Sequence, residues 1–142
     1  MTKQSINQVV DALVGLDSLE IPRVEKALQA KLTESNKNDF WTFYEFTLSK
    51  GPFTHGEFRR NHDGTKALLS LTTEPAKAPT EEDLDLTRWG PVSGIDVNPR
   101  IRPEGTDAYI FDGQGVRVSF QLLHTSRRLR SVALEWGASS TP

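Results

Sequence analysis

The stretch "EFRRNHDGTKALLSLTTE", Glu57 to Glu74, decides the fold. It alternates on both sides of His62-Asp63-Gly64, and an Asp-Gly pair between alternating runs is a strong hairpin signal. The same design returns as "SFQLLHTSRRLRSVALEW", Ser119 to Trp136. Phe120 stands 62 residues after Phe58, and His124 stands 62 after His62. Beyond the turn the step is 63, so Val132 answers Leu69 and Leu134 answers Leu71. The change of step is expected in the turn, where an extra residue disturbs least. What repeats is a pattern: an alternating strand, a polar turn headed by His, and a second alternating strand.

Upstream of the first hairpin, "DFWTFYEFTL" is dense in aromatic and β-branched residues, which fit a pleated surface. Its period of two puts Phe40, Thr42, Tyr44, Phe46 and Leu48 on one face. Trp41, Phe43, Glu45 and Thr47 take the other. "TESNKND" before it reads as a loop of turn formers. Further back, Ile6, Val9, Val10, Leu13 and Leu16 follow helical spacing, with Ser5 and Gln8 as a capping box. Pro22 suits the first turn of a second helix, whose stripe is Val24, Ala27, Leu28 and Leu32.

Between the hairpins, "EPAKAPTEEDLD" reads as a linker, with a short helix through "EEDLDLTRW". "GPVSGIDVNPRIRPEGTD" reads as loop, because its prolines break regular elements. "AYIFD", "VRVSFQLL" and "LRSVALEW" are strands. The expected fold is α+β: one domain over 1–142, with tandem units near 19–74 and 81–136. Their strands form an antiparallel sheet, and the N-terminal helices pack on one face.

The 142 residues include no Cys, 36% hydrophobic and 25% charged residues, and the formal net charge is −2. That is enough chain for a core, and thiolate chemistry and disulfides are excluded. A dedicated nucleic-acid binder would carry a basic stripe, and none is present. "MTKQSINQVV" lacks the apolar run of a signal peptide, and no apolar stretch is long enough to cross a membrane. The expectation is a cytoplasmic protein without membrane attachment.

The pattern of elements in "IPRVEKALQAKL…FWTFYEF…EFRRNHDGTKALLSL" and "DLDLTRWG…AYIFD…VRVSFQLL…LRSVALEW" resembles the tandem-repeat β-lactamase inhibitor proteins and the small outer-membrane lipoproteins of similar fold. Members of that family are exported, and the inhibitors use disulfides. No export signal is expected from "MTKQSINQVV", and the sequence contains no Cys. The resemblance implies the fold and not the β-lactamase target. A looser similarity is to bacterial toxin-immunity proteins, which are compact, mildly acidic and cytosolic.

His55, His62 and His124 are the only histidines, and no pair has zinc-ligand spacing, so no metal is expected. The glycines of "DGQG" and "GPVSG" match no phosphate loop, and no Ser stands in a nucleophile motif. No cofactor is expected, and no catalytic residue is assigned. Glu81, Glu82, Asp83 and Asp85 make a solvated acidic linker. Arg127, Arg128 and Arg130 form a basic hairpin tip suited to phosphate or an acidic partner. The aromatic surplus admits two readings. The face carrying Trp41 and Phe43 is covered by other parts of the chain, or it is an interface for another protein.

With Phe58 and Phe120 inward, alternation places Trp41, Phe43, Glu45, Arg59, Asn61, Tyr109, Arg117, Gln121 and Glu135 outward. These nine are the candidate partner-binding residues. The expected function is a non-enzymatic inhibitor or immunity-type protein that neutralises a toxin or enzyme through its sheet. The alternatives are a small enzyme or ligand binder with a pocket between sheet and helices, using His55 or the acidic linker, and a homodimer whose sheet faces pair.

Overall fold

A computed structural model describes residues 2–16, 18–48, 53–74, 77–84, 86–102, 104–113 and 115–137. Asp85 of the acidic linker and most of the "GASSTP" tail lie outside them. Helix α1, Thr2–Val14, begins before Ser5, so Ser5 lies within the helix instead of capping it. Ile6, Val10 and Leu13 recur at helical spacing and are buried, whereas Val9 is only partly covered. Helix α2, Ile21–Leu28, starts with Pro22 in its first turn and buries Val24 and Leu28. It stops where Gln29 adopts a left-handed backbone, φ 56. Leu32 returns to the core beyond that turn, and its N–H donates to the Glu25 carboxylate at 2.8 Å.

Eight strands, two more than the alternation predicts, form one antiparallel sheet. They are β1 (Thr33–Lys37), β2 (Trp41–Thr47), β3 (Phe53–Asn61), β4 (Ala67–Thr73), β5 (Gly94–Asn98), β6 (Thr106–Gly113), β7 (Val116–Leu123) and β8 (Leu129–Trp136). The unexpected pair is β1, on the supposed turn formers, and β5, in the Pro-rich passage. Both are edges. Phe40 precedes β2 and is 73% exposed, so it is not part of the inward row. In place of the expected short helix there are two 3-10 turns, Glu81–Asp83 and Leu86–Trp89, the first capped reciprocally by Thr80 and Asp83.

The strand order is β1-β2-β3-β4-β8-β7-β6-β5, two four-stranded meanders joined where β4 meets β8. At that seam Ser70 faces Ala133, with Leu69 opposite Leu134 and Leu71 opposite Val132. Directly opposed residues share a face of the sheet. Phe58, Leu69, Leu134 and Val118 therefore form one row, and Leu71, Val132, Phe120 and Tyr109 form the next. Both rows point at the helices and join Ile6, Val10, Leu13, Val24 and Leu28 in one apolar core. Phe58 and Phe120 are fully buried in it. The Trp89 ring of the second 3-10 turn lies 6.0 Å from Phe120.

The two meanders match in register. Tyr44 lies opposite Phe58 and Phe46 opposite Gly56. Tyr109 lies opposite Phe120 and Phe111 opposite Val118. Both hairpin turns close over the same span, Asn61 N–H to Lys66 carbonyl at 3.0 Å and Leu123 N–H to Arg128 carbonyl at 2.8 Å. The turns are therefore of equal length, and the extra residue is elsewhere. Gln121 pairs with Ser131 and Leu122 with Leu129, which leaves Arg130 as a β-bulge in β8. The bulge takes carbonyls out of the ladder, and the buried Thr73 hydroxyl reaches those of Leu129 at 2.7 Å and Arg130 at 3.0 Å.

Candidate protein-binding face

The helices cover one face of the sheet, and the strand alternation turns the other set of side chains away from them. Register places eight of the nine expected residues there. Asn36, Phe43, Arg59, Leu68, Glu135, Arg117 and Asp112 run as one row from β1 to β6. Trp41 and Asn61 oppose each other next to it, as do Glu45 and Glu57 on its other side. Gln121 lies opposite Ser131. Tyr109 is the exception. It stands opposite Phe120, on the helix side, so its assignment to the outward set is wrong. "AYIFD" is apolar on both faces, and alternation alone could not fix its phase.

The two halves of this face differ in how far their charges are already satisfied. In the second half Arg117 grips Asp112 with two hydrogen bonds, 2.7 and 3.3 Å. That contact holds the Asp112 carboxyl below its ordinary pKa and raises the Arg117 guanidinium. The Gln121 side-chain oxygen accepts from Arg130 at 2.8 Å and from Ser131 at 2.9 Å. In the first half the Arg59 guanidinium stacks over Trp41, 4.9 Å from the ring centre. Its Nε is buried without a hydrogen-bond partner among the described residues. Glu45 and Glu57 face each other across β2 and β3, both exposed, and like charges in that position repel. Asn61 is committed locally: its amide donates to Thr65 at 3.0 Å and its carbonyl accepts from Lys66 N–H at 2.9 Å.

The basic hairpin tip does not point to solvent as a free cluster. Arg127 has a left-handed backbone, φ 60, and its side chain is only 28% exposed. Its guanidinium donates to Asp107 at 2.7 Å, Glu81 at 3.0 Å and the Tyr109 hydroxyl at 2.5 Å. Arg128 donates to the Ala78 carbonyl at 2.8 Å. Asp107 is buried, and its Oδ2 lies 3.0 Å from Nδ1 of His124, whose side chain is 61% exposed. Hydrogen bonds from His124 and then Arg127 lower the Asp107 pKa. Glu104 caps the same turn by accepting from the N–H groups of Thr125 and Ser126.

This clasp ties the acidic linker and strand β6 to the second hairpin, and the sequence reading missed it. The pairs span 17 to 46 residues, so no local spacing announces them. An acid at the start of the apolar run "TDAYIFD" is the one trace of it. Among the described residues no group of three or more His, Asp or Glu could hold a metal ion. No helix among them is long and apolar enough to cross a membrane. No protein-family model, curated protein or solved structure matches the chain.

Proposed function

We propose that the protein is a non-enzymatic binding module, an inhibitor or immunity-type protein that neutralises a partner enzyme or toxin through the open face of its sheet. The observation that carries this reading is the Arg59–Trp41 stack. Interface hot spots favour Trp and Arg. A guanidinium already held on an aromatic ring loses little freedom on binding, and Arg59 has no carboxylate partner among the described residues. Phe43 and Leu68 flank it, and the repelling Glu45–Glu57 pair would be relieved by a cation on the partner. The net charge of −2 without a basic stripe favours a protein over nucleic acid as the partner.

The same reading takes the chain as one domain built from two copies of one unit, in accord with its resemblance to the tandem-repeat inhibitor proteins. It is supported by the shared Tyr-x-Phe register opposite Phe58 and Phe120, and by the equal hairpin spans. The enzyme alternative, expected to use His55 or the acidic linker, would instead have to draw on the His124–Asp107 pair, where a buried carboxylate meets an exposed imidazole. The clasp with Arg127, Glu81 and Tyr109 accounts for that pair structurally, and the space between sheet and helices is filled by apolar side chains.

Affinity capture from the native cell tests the proposal. Trp41→Ala should weaken capture by ~30-fold or more, since a hot spot contributes about 2 kcal/mol and each decade is about 1.4 kcal/mol. Arg117→Ala, whose charge is already paired, should change capture little. Far-ultraviolet circular dichroism should stay native for both. Full capture by Trp41→Ala, or loss of fold in that variant, would overturn the assignment of this face.

A further inference from the structure

The sheet has two free edges, and they are built differently. Strand β1 is exposed along its whole length, carries Glu34 and Lys37, and is bulged between Glu34 and Asn36. Charge and a bulge are the usual protections of an edge against pairing with another strand. Strand β5 has no bulge and no Lys, and its single charge is the exposed Asp96 at its centre. It keeps five consecutive pairs with β6. Its exposed side chains include Ile95 at 58% and Val97 at 60%, with Val92 at 45% just before it. Among the described residues only Phe40 joins these three as an exposed large hydrophobic.

Ile95 also has a particular place. It lies opposite Tyr109, so it ends the row Leu71, Val132, Phe120, Tyr109 on the helix side of the sheet. The apolar row of the core therefore runs out to a solvent-facing edge and stops there. A strand that completes the β5 ladder must also cover this Ile.

We infer that β5 is a self-association edge, at which a second copy of the chain adds its own β5 antiparallel with Ile95 opposite Ile95. Of the in-phase registers, which keep like faces together, three overlap three or more residues of each β5. With Asp96 opposite Asp96, two carboxylates would meet directly, which is unfavourable, and the apolar row would lead into Asp107 of the second copy. With Val97 opposite Val97, Ile95 would face Pro99, and Asp107 would end the row on both sides. With Ile95 opposite Ile95, Asp96 faces Gly94 and the apolar row continues unbroken through Tyr109 and Phe120 of both copies. The contact is twofold and closed, and the bulged, charged β1 gives it no second edge to extend from. It uses neither Trp41 nor Arg59 and does not depend on the function proposed for the open face.

The chain has no Cys, so single-cysteine variants report register directly. Under mild oxidation Ile95→Cys should form a covalent dimer, because directly opposed residues bring Cβ atoms within reach of a disulfide. Asp96→Cys should not, because its counterpart is then a diagonal neighbour at ~7–8 Å. In sedimentation equilibrium the unmodified chain should be a dimer, and Ile95→Lys should raise its dissociation constant by about tenfold or more. Position 95 is exposed, so the variant should keep its native circular dichroism. A strictly monomeric unmodified chain, a dimer indifferent to Ile95→Lys, or cross-linking at 96 instead of 95 would each overturn the inference. So would a monomeric chain in which Ile95→Lys abolishes capture of a different protein, since β5 would then accept that protein's strand.

Discussion

The Arg127 guanidinium donates to the Asp107 carboxylate at 2.7 Å from a residue whose own backbone is left-handed. A side chain with a Cβ is strained there by roughly 1–2 kcal/mol, so the network with Asp107, Glu81 and Tyr109 must outweigh that cost. Removing the guanidinium separates the two effects. Arg127→Ala loses the network and keeps the strain, whereas Arg127→Gly loses the network and relieves the strain. Arg127→Gly should therefore be the more stable of the two by about 1 kcal/mol in urea denaturation, and both should be less stable than the unmodified chain. Equal stability of the two variants would mean that the left-handed conformation imposes no cost.

Asp107 should give the protein an acid-sensitive component of stability. Its folded-state pKa is lowered by the hydrogen bonds from His124 and Arg127. Folding is thus favoured by its ionised form above the unfolded-state value of about 3.9, and this contribution fades as pH falls through the lower folded-state value. Asp107→Asn should melt below the unmodified chain at neutral pH, and the gap should narrow as pH falls below about 4. A constant gap from neutral pH into that range would assign the effect to packing.

Gly56 lies where no side chain fits. A Cβ there would press on the Ser70 carbonyl and lie 2.5 Å from the Phe46 ring. The ring can move, but the Ser70 carbonyl belongs to the ladder between β3 and β4. Gly56→Ala should cost about 1–3 kcal/mol, the usual range for overpacking. Phe46→Leu should not rescue it, because the backbone contact persists. A neutral Gly56→Ala in chemical denaturation would show that β3 can shift as a unit.

Deletion of Arg130 should be tolerated. The bulged residue is one more than β7 requires, and Leu129 and Ser131 already face opposite sides of the sheet. Without Arg130 the β7–β8 register becomes continuous and no side chain changes face. The cost should be modest, about 1–3 kcal/mol, from the carbonyl contacts that the Thr73 hydroxyl loses. Unfolding of the deletion variant would mean that the bulge sets the twist of β8.

The central strands were legible in the sequence because each has two neighbours and one buried face, and burial on one face imposes period two. Leu69 and Leu71, or Val118 and Phe120, needed nothing more. Edge strands escape this constraint: in β1 every residue is exposed, so nothing selects apolar side chains at alternate positions. Tyr109 was misplaced by a local view of an apolar run. The match of Tyr44-x-Phe46 to Tyr109-x-Phe111, 65 residues on, would have set it inward beside Phe120. On the open face, alternation located Trp41 and Arg59. Which charges there are paired depends on contacts such as Arg130 with Gln121, where a bulge redirects the side chain.

The seam between β4 and β8 also fixes the order in which the chain can be finished. β4 pairs with β3 across a short turn, but its other edge is completed only by β8, with Ser70 meeting Ala133 63 residues later. During translation that edge stays bare while those residues are made, which takes about 3–13 s at roughly 5–20 residues per second. The first meander can close its three hairpins in that interval, yet its Leu69–Leu71 strand still offers a free ladder to neighbouring nascent chains on the same message. That exposure lasts until β8 has emerged and paired with β4, which seals the sheet.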